Sequence, residues 1–174
     1  FCYDAEGLRK MVEDLQPRIL LSASPNSPTG NGLAPAELEA LIDTIPEQTI
    51  VLVDEAYAAF VSNDLSYIKK IVERKPNVIF CRTLSKFYGL PGLRMGFGFV
   101  SKSEEMDRFS RYANKYLGYD RLSEDLAIAA LDSEDYYREI ADVMEEARKM
   151  YASELGALDG FKVYRSTANF ILIR

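Results

Sequence analysis

Histidine is absent from this 174-residue chain, and so is tryptophan. Without histidine there is no serine–histidine triad, no ordinary zinc site and no imidazole acid–base chemistry. Any proton transfer falls to lysine, tyrosine, aspartate, glutamate or cysteine. Cysteine is scarce. Cys2 and Cys81 stand far apart, with Cys81 inside an apolar run, a pattern of reduced thiols in a cytoplasm. No apolar run approaches the length of a membrane span. No basic tract stands out and the formal net charge is −6, which argues against a nucleic-acid partner. Internal repeats and low-complexity segments are absent as well.

What is present is a globular composition, 48% apolar, long enough for one good core or two small ones. Phe1 is not a natural initiator, so the chain reads as a piece of something longer, and a missing leader proves little. Residues 6–15 are predicted as an amphipathic helix with Leu8, Met11, Val12 and Leu15 on one face. Arg18-Ile19-Leu20-Leu21-Ser22 is a short strand that ends in a loop dense in turn formers, residues 24–32. A helix starts at Pro35, with Glu37 and Glu39 near its positive end, and runs to about Thr44. Thr49-Ile50-Val51-Leu52-Val53 is a continuous apolar run of the kind buried on both faces of a parallel sheet. A helix over residues 66–74, a strand at 78–81 and another at 97–100 follow. This order predicts an α/β fold with a mostly parallel sheet.

After Val100 the character changes. Residues 102–116 and 123–131 read as helices. Residues 135–158 read as a long amphipathic helix with Ile140, Val143, Met144, Ala147, Met150 and Tyr151 inward. Residues 161–164 and 168–173 alternate enough to be strands of a separate small sheet. The organisation expected is residues 1–100 as part of a large α/β domain, 101–120 as a connecting helical region, and 121–174 as part of a smaller α+β C-terminal domain.

The chemistry concentrates where the early strands end. Asp54 and Tyr57 follow the second strand. Thr83, Ser85, Lys86 and Arg94 follow the third. Ligands in open α/β sheets bind at the carboxyl ends of the strands, so these residues can converge. Hydroxyls and a guanidinium suit a phosphate, and an amine between them can attack a carbonyl. A carboxylate at the end of a buried strand can pair with a ring cation, which offsets the cost of its burial. An aromatic aldehyde with a phosphate tail, pyridoxal phosphate, uses every one of these groups and needs no histidine. Taken singly, Lys86 is an ordinary solvated lysine, Tyr57 a packing tyrosine and Asp54 a helix cap. Together they point to a site. Glycines 89, 92, 96 and 98 do not fit G-x-G-x-x-G and favour tight turns.

Four stretches carry a family resemblance. Asp54-Glu55-Ala56-Tyr57-Ala58-Ala59-Phe60, and Thr83-Leu84-Ser85-Lys86 with Gly89-Leu90-Pro91-Gly92-Leu93-Arg94-Met95-Gly96, resemble the class I/II aminotransferases of the type I pyridoxal-phosphate transferase fold. The branch they look most like is histidinol-phosphate aminotransferase. Ser24-Pro25-Asn26-Ser27-Pro28-Thr29-Gly30 is similar to that family's Asn-Pro-Thr-Gly loop, and Ser166-Thr167-Ala168-Asn169-Phe170 to a small-domain strand. The resemblance implies Lys86 as the Schiff-base lysine and proton shuttle, Asp54 on the ring nitrogen, and Tyr57 at the ring oxygen. It implies Thr83, Ser85 and Arg94 at the phosphate. Ser27 stands where the family usually carries an asparagine on the ring oxygen, with Asn26 beside it. Lys115-Tyr116-Leu117-Gly118-Tyr119-Asp120-Arg121 stands in place of a Pro-Tyr-Asn-like stretch.

The function implied is transfer of an amino group between a histidinol-phosphate-like amine or amino acid and a 2-oxo acid, by a cytoplasmic homodimer. The family's stacking aromatic, its glycine-bearing phosphate turn and its substrate-anion arginine would lie outside residues 1–174, so these residues alone are expected to be incompetent. A threonine-phosphate decarboxylase-like activity and a non-catalytic cofactor-binding module share the same residues. A nucleotide hydrolase is disfavoured, because no G-x-x-x-x-G-K-[ST] loop is present.

Overall fold

The computed structural model describes residues 2–114 and 118–174. A side chain ties down the backbone at the start of each early helix. Asp4 accepts the Gly7 N–H at 2.8 Å ahead of α1 (Ala5–Leu15). Glu37 accepts the Ala34 N–H at 2.8 Å at the start of α2 (Pro35–Thr44), whose first residue is the proline expected there. Asp64 accepts the Ser66 N–H at 2.9 Å ahead of α3 (Ser66–Arg74). Between them run β1 (Ile19–Ala23), β2 (Ile50–Asp54) and β3 (Val78–Thr83), and β4 (Gly96–Val100) follows.

The four strands form one sheet in the order β1-β2-β3-β4. The first three are parallel, and β4 returns antiparallel to β3. Strand alternation turns Val51, Val53, Val78 and Phe80 to one face. There they meet Val12, Leu38, Ile42, Ile68 and Ile71 from the three helices in a single buried cluster. The apolar run at β2 predicted burial on both faces. Instead, Ile50 and Leu52 are half-buried and Asp54 is exposed, because α1, α2 and α3 all feed the one core. On β1 the open positions are plainer: Ile19 and Leu21 are 62% and 68% exposed. The buried setting expected for Asp54 is therefore corrected. In α1, Val12 alone is buried, while Met11 and Leu15 face solvent.

Further helices follow: α4 (Glu104–Asn114), α5 (Arg121–Asp132) and α6 (Glu134–Gly156). Asp120 caps α5 through the Ser123 N–H at 2.9 Å. The stretch expected between α4 and α5 has its residues 115–117 outside those described. The inward face expected for α6 is corrected in part: Ile140, Met144 and Ala147 are half-buried, as expected. Val143, Met150 and Tyr151 are exposed, whereas Tyr137, Ala141 and Met144 pack on a cluster of Ala59, Phe60 and Phe87. Those three lie one and two turns apart, so they form the stripe that can reach this cluster. The two strands expected near the C-terminus appear as two segments joined by a single Val163–Ile173 antiparallel bridge. Lys162 and Arg174 exchange backbone hydrogen bonds beside it, at 2.8 and 2.9 Å. Alternation was enough to pair the two segments with each other but not to build a sheet. No described helix is long and apolar enough to cross a membrane.

Phe80 is fully buried at the centre of the main cluster. Phe80→Ala is expected to destabilise the fold by about 3–5 kcal/mol, because the ring leaves a cavity among rigid neighbours. Urea unfolding of the variant and wild-type checks it through the shift in midpoint at constant slope.

Candidate active site

Parallel pairing brings three loops to one edge. Ala23, Asp54, Cys81 and Gly98 lie in register across the sheet. Just beyond, Ser24 N–H donates to the Asp54 carbonyl at 2.9 Å and Glu55 N–H to the Cys81 carbonyl at 2.8 Å. The loop over residues 24–32, the turn after Asp54 and the lysine loop thus leave the sheet side by side. Asp54, Cys81 and, two residues on, Thr83 share the face opposite the main core. The Cys81 thiol reports that proximity: burial first, and then the Asp54 charge, raise its pKa.

The lysine loop is tightly wound. Thr83 Oγ1 accepts the Ser85 N–H at 3.0 Å and donates to the Met95 carbonyl at 3.3 Å. Leu84 N–H reaches the same carbonyl at 3.2 Å, and Leu90 N–H returns to the Leu84 carbonyl at 3.0 Å. Leu84 and Phe87 are buried on either side of Ser85 and Lys86, so packing holds the loop while the lysine stays exposed. Lys86 Nζ lies 5.4 Å from the centroid of the Tyr57 ring, a cation–π distance. Tyr57 is in turn held edge-on by Phe170, with ring centroids 5.1 Å apart.

Lys86 and Tyr57 are therefore brought together, and Asp54 and Thr83 lie on neighbouring strand ends of one face. Arg94, at a left-handed φ of 53°, is exposed and donates from its guanidinium to the Pro91 carbonyl at 3.1 Å, within its own turn. Ser27 is exposed at the tip of its loop. Asn26 beside it is engaged inside the loop, its amide donating to the Thr29 hydroxyl at 2.7 Å.

Two features escaped the sequence reading. The first is a buried polar unit. Arg82 Nε donates to Glu55 Oε2 at 2.9 Å, and the two side chains are only 5% and 2% exposed. The Tyr67 hydroxyl donates to Glu55 Oε1 at 2.5 Å and receives Arg82 Nη2 at 3.2 Å. An arginine inside an apolar strand was the available signal, since a buried charge requires a partner. The second is a long-range clasp. Thr167 N–H and Oγ1 both donate to the Gly30 carbonyl, at 2.8 and 3.1 Å. Nothing in residue spacing predicts that contact. A cavity of about 600 Å³ opens behind the loop, lined in part by Ser24, Gly30, Glu55, Tyr67, Arg165 and Thr167. Lys86 is not in its wall.

The overall arrangement is that of the type I pyridoxal-phosphate transferases. The solved histidinol-phosphate aminotransferase from Sinorhizobium meliloti, in complex with pyridoxal-5'-phosphate, superposes with a TM-score of 0.82 at 27% identity, over 98% of this chain and 45% of that one. The family model described as aminotransferase class I and II matches residues 1–174, and the chain belongs to that family. It is 33% identical to histidinol-phosphate aminotransferase 2 of Carboxydothermus hydrogenoformans, over 96% of this chain and 46% of that protein. It is 35% identical to histidinol-phosphate aminotransferase of a Thermoanaerobacter species, over 99% and 47%. The chain thus spans just under half the length of the curated relatives it matches.

Two outcomes follow from the clasp and the buried unit. Gly30 has φ +72°, and a Cβ there would lie 2.0 Å from Ser166 Oγ. Gly30→Ala is expected to release residues 166–167 from the loop, seen as faster amide exchange at Thr167. The Tyr67 phenol has its pKa raised, by burial first and then by the Glu55 carboxylate. An unfolded phenol titrates near about 10, and the folded state holds the proton more tightly. This contribution to stability is fully present below about pH 10 and declines as the pH rises beyond it. Tyr67→Phe should flatten that alkaline decline in unfolding free energy, and an unchanged slope would count against it.

Proposed function

We propose that this chain is part of a pyridoxal-phosphate-dependent aminotransferase that moves an amino group between a histidinol-phosphate-like amine or amino acid and a 2-oxo acid. The observation that carries the reading is an exposed lysine amine held against an aromatic ring at the carboxyl edge of a parallel sheet, with a carboxylate and a hydroxyl-lined turn on the same edge. The donor set fits the cofactor. Asp54 is exposed, has no ion-pair partner among the described residues, and accepts one backbone N–H, from Ala56 at 2.9 Å. Its charge suits a protonated ring nitrogen. Thr83, Ser85 and Arg94 offer hydroxyls and a guanidinium to a phosphate, and Ser27 or Tyr57 a hydroxyl to the ring oxygen. Bound there, pyridoxal phosphate supplies an aldehyde that links to amines and a ring that withdraws electrons from the carbon losing its proton.

The protein's own part is binding, orientation and proton movement. Lys86 Nζ would be the base that takes the proton from the substrate carbon and the acid that later gives it up. The Tyr57 ring limits where that amine can swing, and Phe170 limits where Tyr57 can turn. In this reading residues 1–100 belong to the large cofactor-binding domain, 101–120 to the connection and 121–174 to the small domain. The intact protein works as a cytoplasmic homodimer on small-molecule donors and acceptors.

The test uses full-length protein, pyridoxal phosphate and a panel of amino donors that includes histidinol phosphate. Lys86→Ala is expected to lower turnover by at least about 10²–10⁴-fold, the range for loss of a positioned acid–base group. Asp54→Ala is expected to weaken cofactor binding roughly tenfold or more, as when one partner of a charge pair is removed. Transamination near the wild-type rate by the Lys86 variant would refute the assignment.

A further inference from the structure

We infer that Glu55, Arg82 and Tyr67 are positioning residues for the cofactor, holding Asp54 and Thr83 at a set separation from beneath; this rests on the aminotransferase reading. Glu55 follows Asp54 in the chain, and Arg82 precedes Thr83. Strand alternation sends Asp54 and Thr83 to one face of the sheet and Arg82 to the other. On that other side Arg82 meets the Glu55 carboxylate at 2.9 Å. One ion pair therefore sits under both the residue proposed for the ring nitrogen and a residue proposed for the phosphate.

Three observations make this more than packing. The backbone ladder between β2 and β3 reaches only to Glu55 N–H on the Cys81 carbonyl, at 2.8 Å, among the described residues. Beyond that bond, side chains hold the two exits together. The geometry of the unit is fully directional. Each Glu55 oxygen takes one donor, Arg82 Nε on Oε2 and the Tyr67 hydroxyl on Oε1, and Arg82 Nη2 closes the triangle on Tyr67. Finally, the pair is almost wholly buried, at 5% and 2% exposure. Apolar side chains of like volume often match a buried ion pair in stability, so what the charged unit adds here is the geometry it imposes. Tyr67 stands edge-on to Phe80, with ring centroids 6.2 Å apart, which ties the unit to the rigid core.

The experiment uses full-length protein and three forms: Glu55→Gln, Tyr67→Phe, and Glu55→Gln with Arg82→Gln. Three quantities are read. They are the unfolding temperature without cofactor, the affinity for pyridoxal phosphate, and the visible circular dichroism per mole of bound cofactor. Glu55→Gln leaves the Arg82 charge buried alone, and is expected to lower both the unfolding temperature and the affinity, the latter by about tenfold. The double variant removes both charges. It is expected to regain most of the unfolding temperature while its affinity stays about tenfold down and its dichroism remains altered. Tyr67→Phe keeps the ion pair, and is expected to fold normally and bind about threefold more weakly. Affinity and dichroism that recover with the unfolding temperature in the double variant would reduce the unit to a stability element and overturn the inference. If Glu55→Gln does not fold, Tyr67→Phe decides, and wild-type affinity and dichroism there overturn it. Wild-type protein that binds no pyridoxal phosphate overturns the aminotransferase reading and this inference together. Wild-type binding with unmoved variants overturns this inference alone.

Discussion

Parallel pairing of β1, β2 and β3 is the constraint on which everything else at the site depends. Hydrogen bonds between parallel strands require their carboxyl ends to point the same way. Ala23, Asp54 and Cys81 stand in one row as a result. Three loops from distant parts of the chain then leave the sheet together. Had β3 run antiparallel to β2, Lys86 would have emerged at the far end, a strand length from Asp54. The core under the sheet exists to hold that pairing, and α1, α2 and α3 contribute to it through the same few buried side chains.

On this platform two kinds of restraint act. Apolar anchors hold the lysine loop: Leu84 and Phe87 are buried on either side of the exposed amine. Polar ties hold the surrounding walls. The Glu55–Arg82 pair joins the exits of β2 and β3, and the Gly30 carbonyl receives Thr167 across a separation of 137 residues. Breaking one partner of a buried pair typically costs about 3–5 kcal/mol, a large share of a domain's stability. Such ties are therefore strict about geometry in a way that apolar packing is not. The cavity behind the loop over residues 24–32 shows the other side of this balance. It is bounded by Glu55 and Tyr67 from the sheet side and by Arg165 and Thr167 from the C-terminal segment. The walls of that cavity are thus shared between the first and last parts of the chain.

Much of this was legible in the order of residues. Period-two and continuous apolar runs located all four sheet strands to within two residues, because strand burial imprints itself locally. Proline at Pro35 and the turn formers at residues 24–32 marked a helix start and a loop for reasons internal to those residues. The chemical types at Asp54, Tyr57, Thr83 and Lys86, and their common strand-end placement, were likewise readable. Amphipathic periodicity did less well in α6. It identifies an apolar stripe but not which neighbour covers it, and Val143, Met150 and Tyr151 remain exposed.

By itself, then, the order of residues determined the elements, their sequence along the chain and the inventory of reactive side chains, since each follows from local propensity and spacing. Only the tertiary structure decided that Asp54 is exposed rather than buried, that Lys86 faces Tyr57, and that Arg94 bonds its own turn. It alone paired Glu55 with Arg82 and docked residues 166–170 on the loop and on Tyr57. Those outcomes depend on which faces meet across the sheet and on contacts between residues far apart in the chain. Such contacts form only when the whole core closes, and no local pattern encodes them.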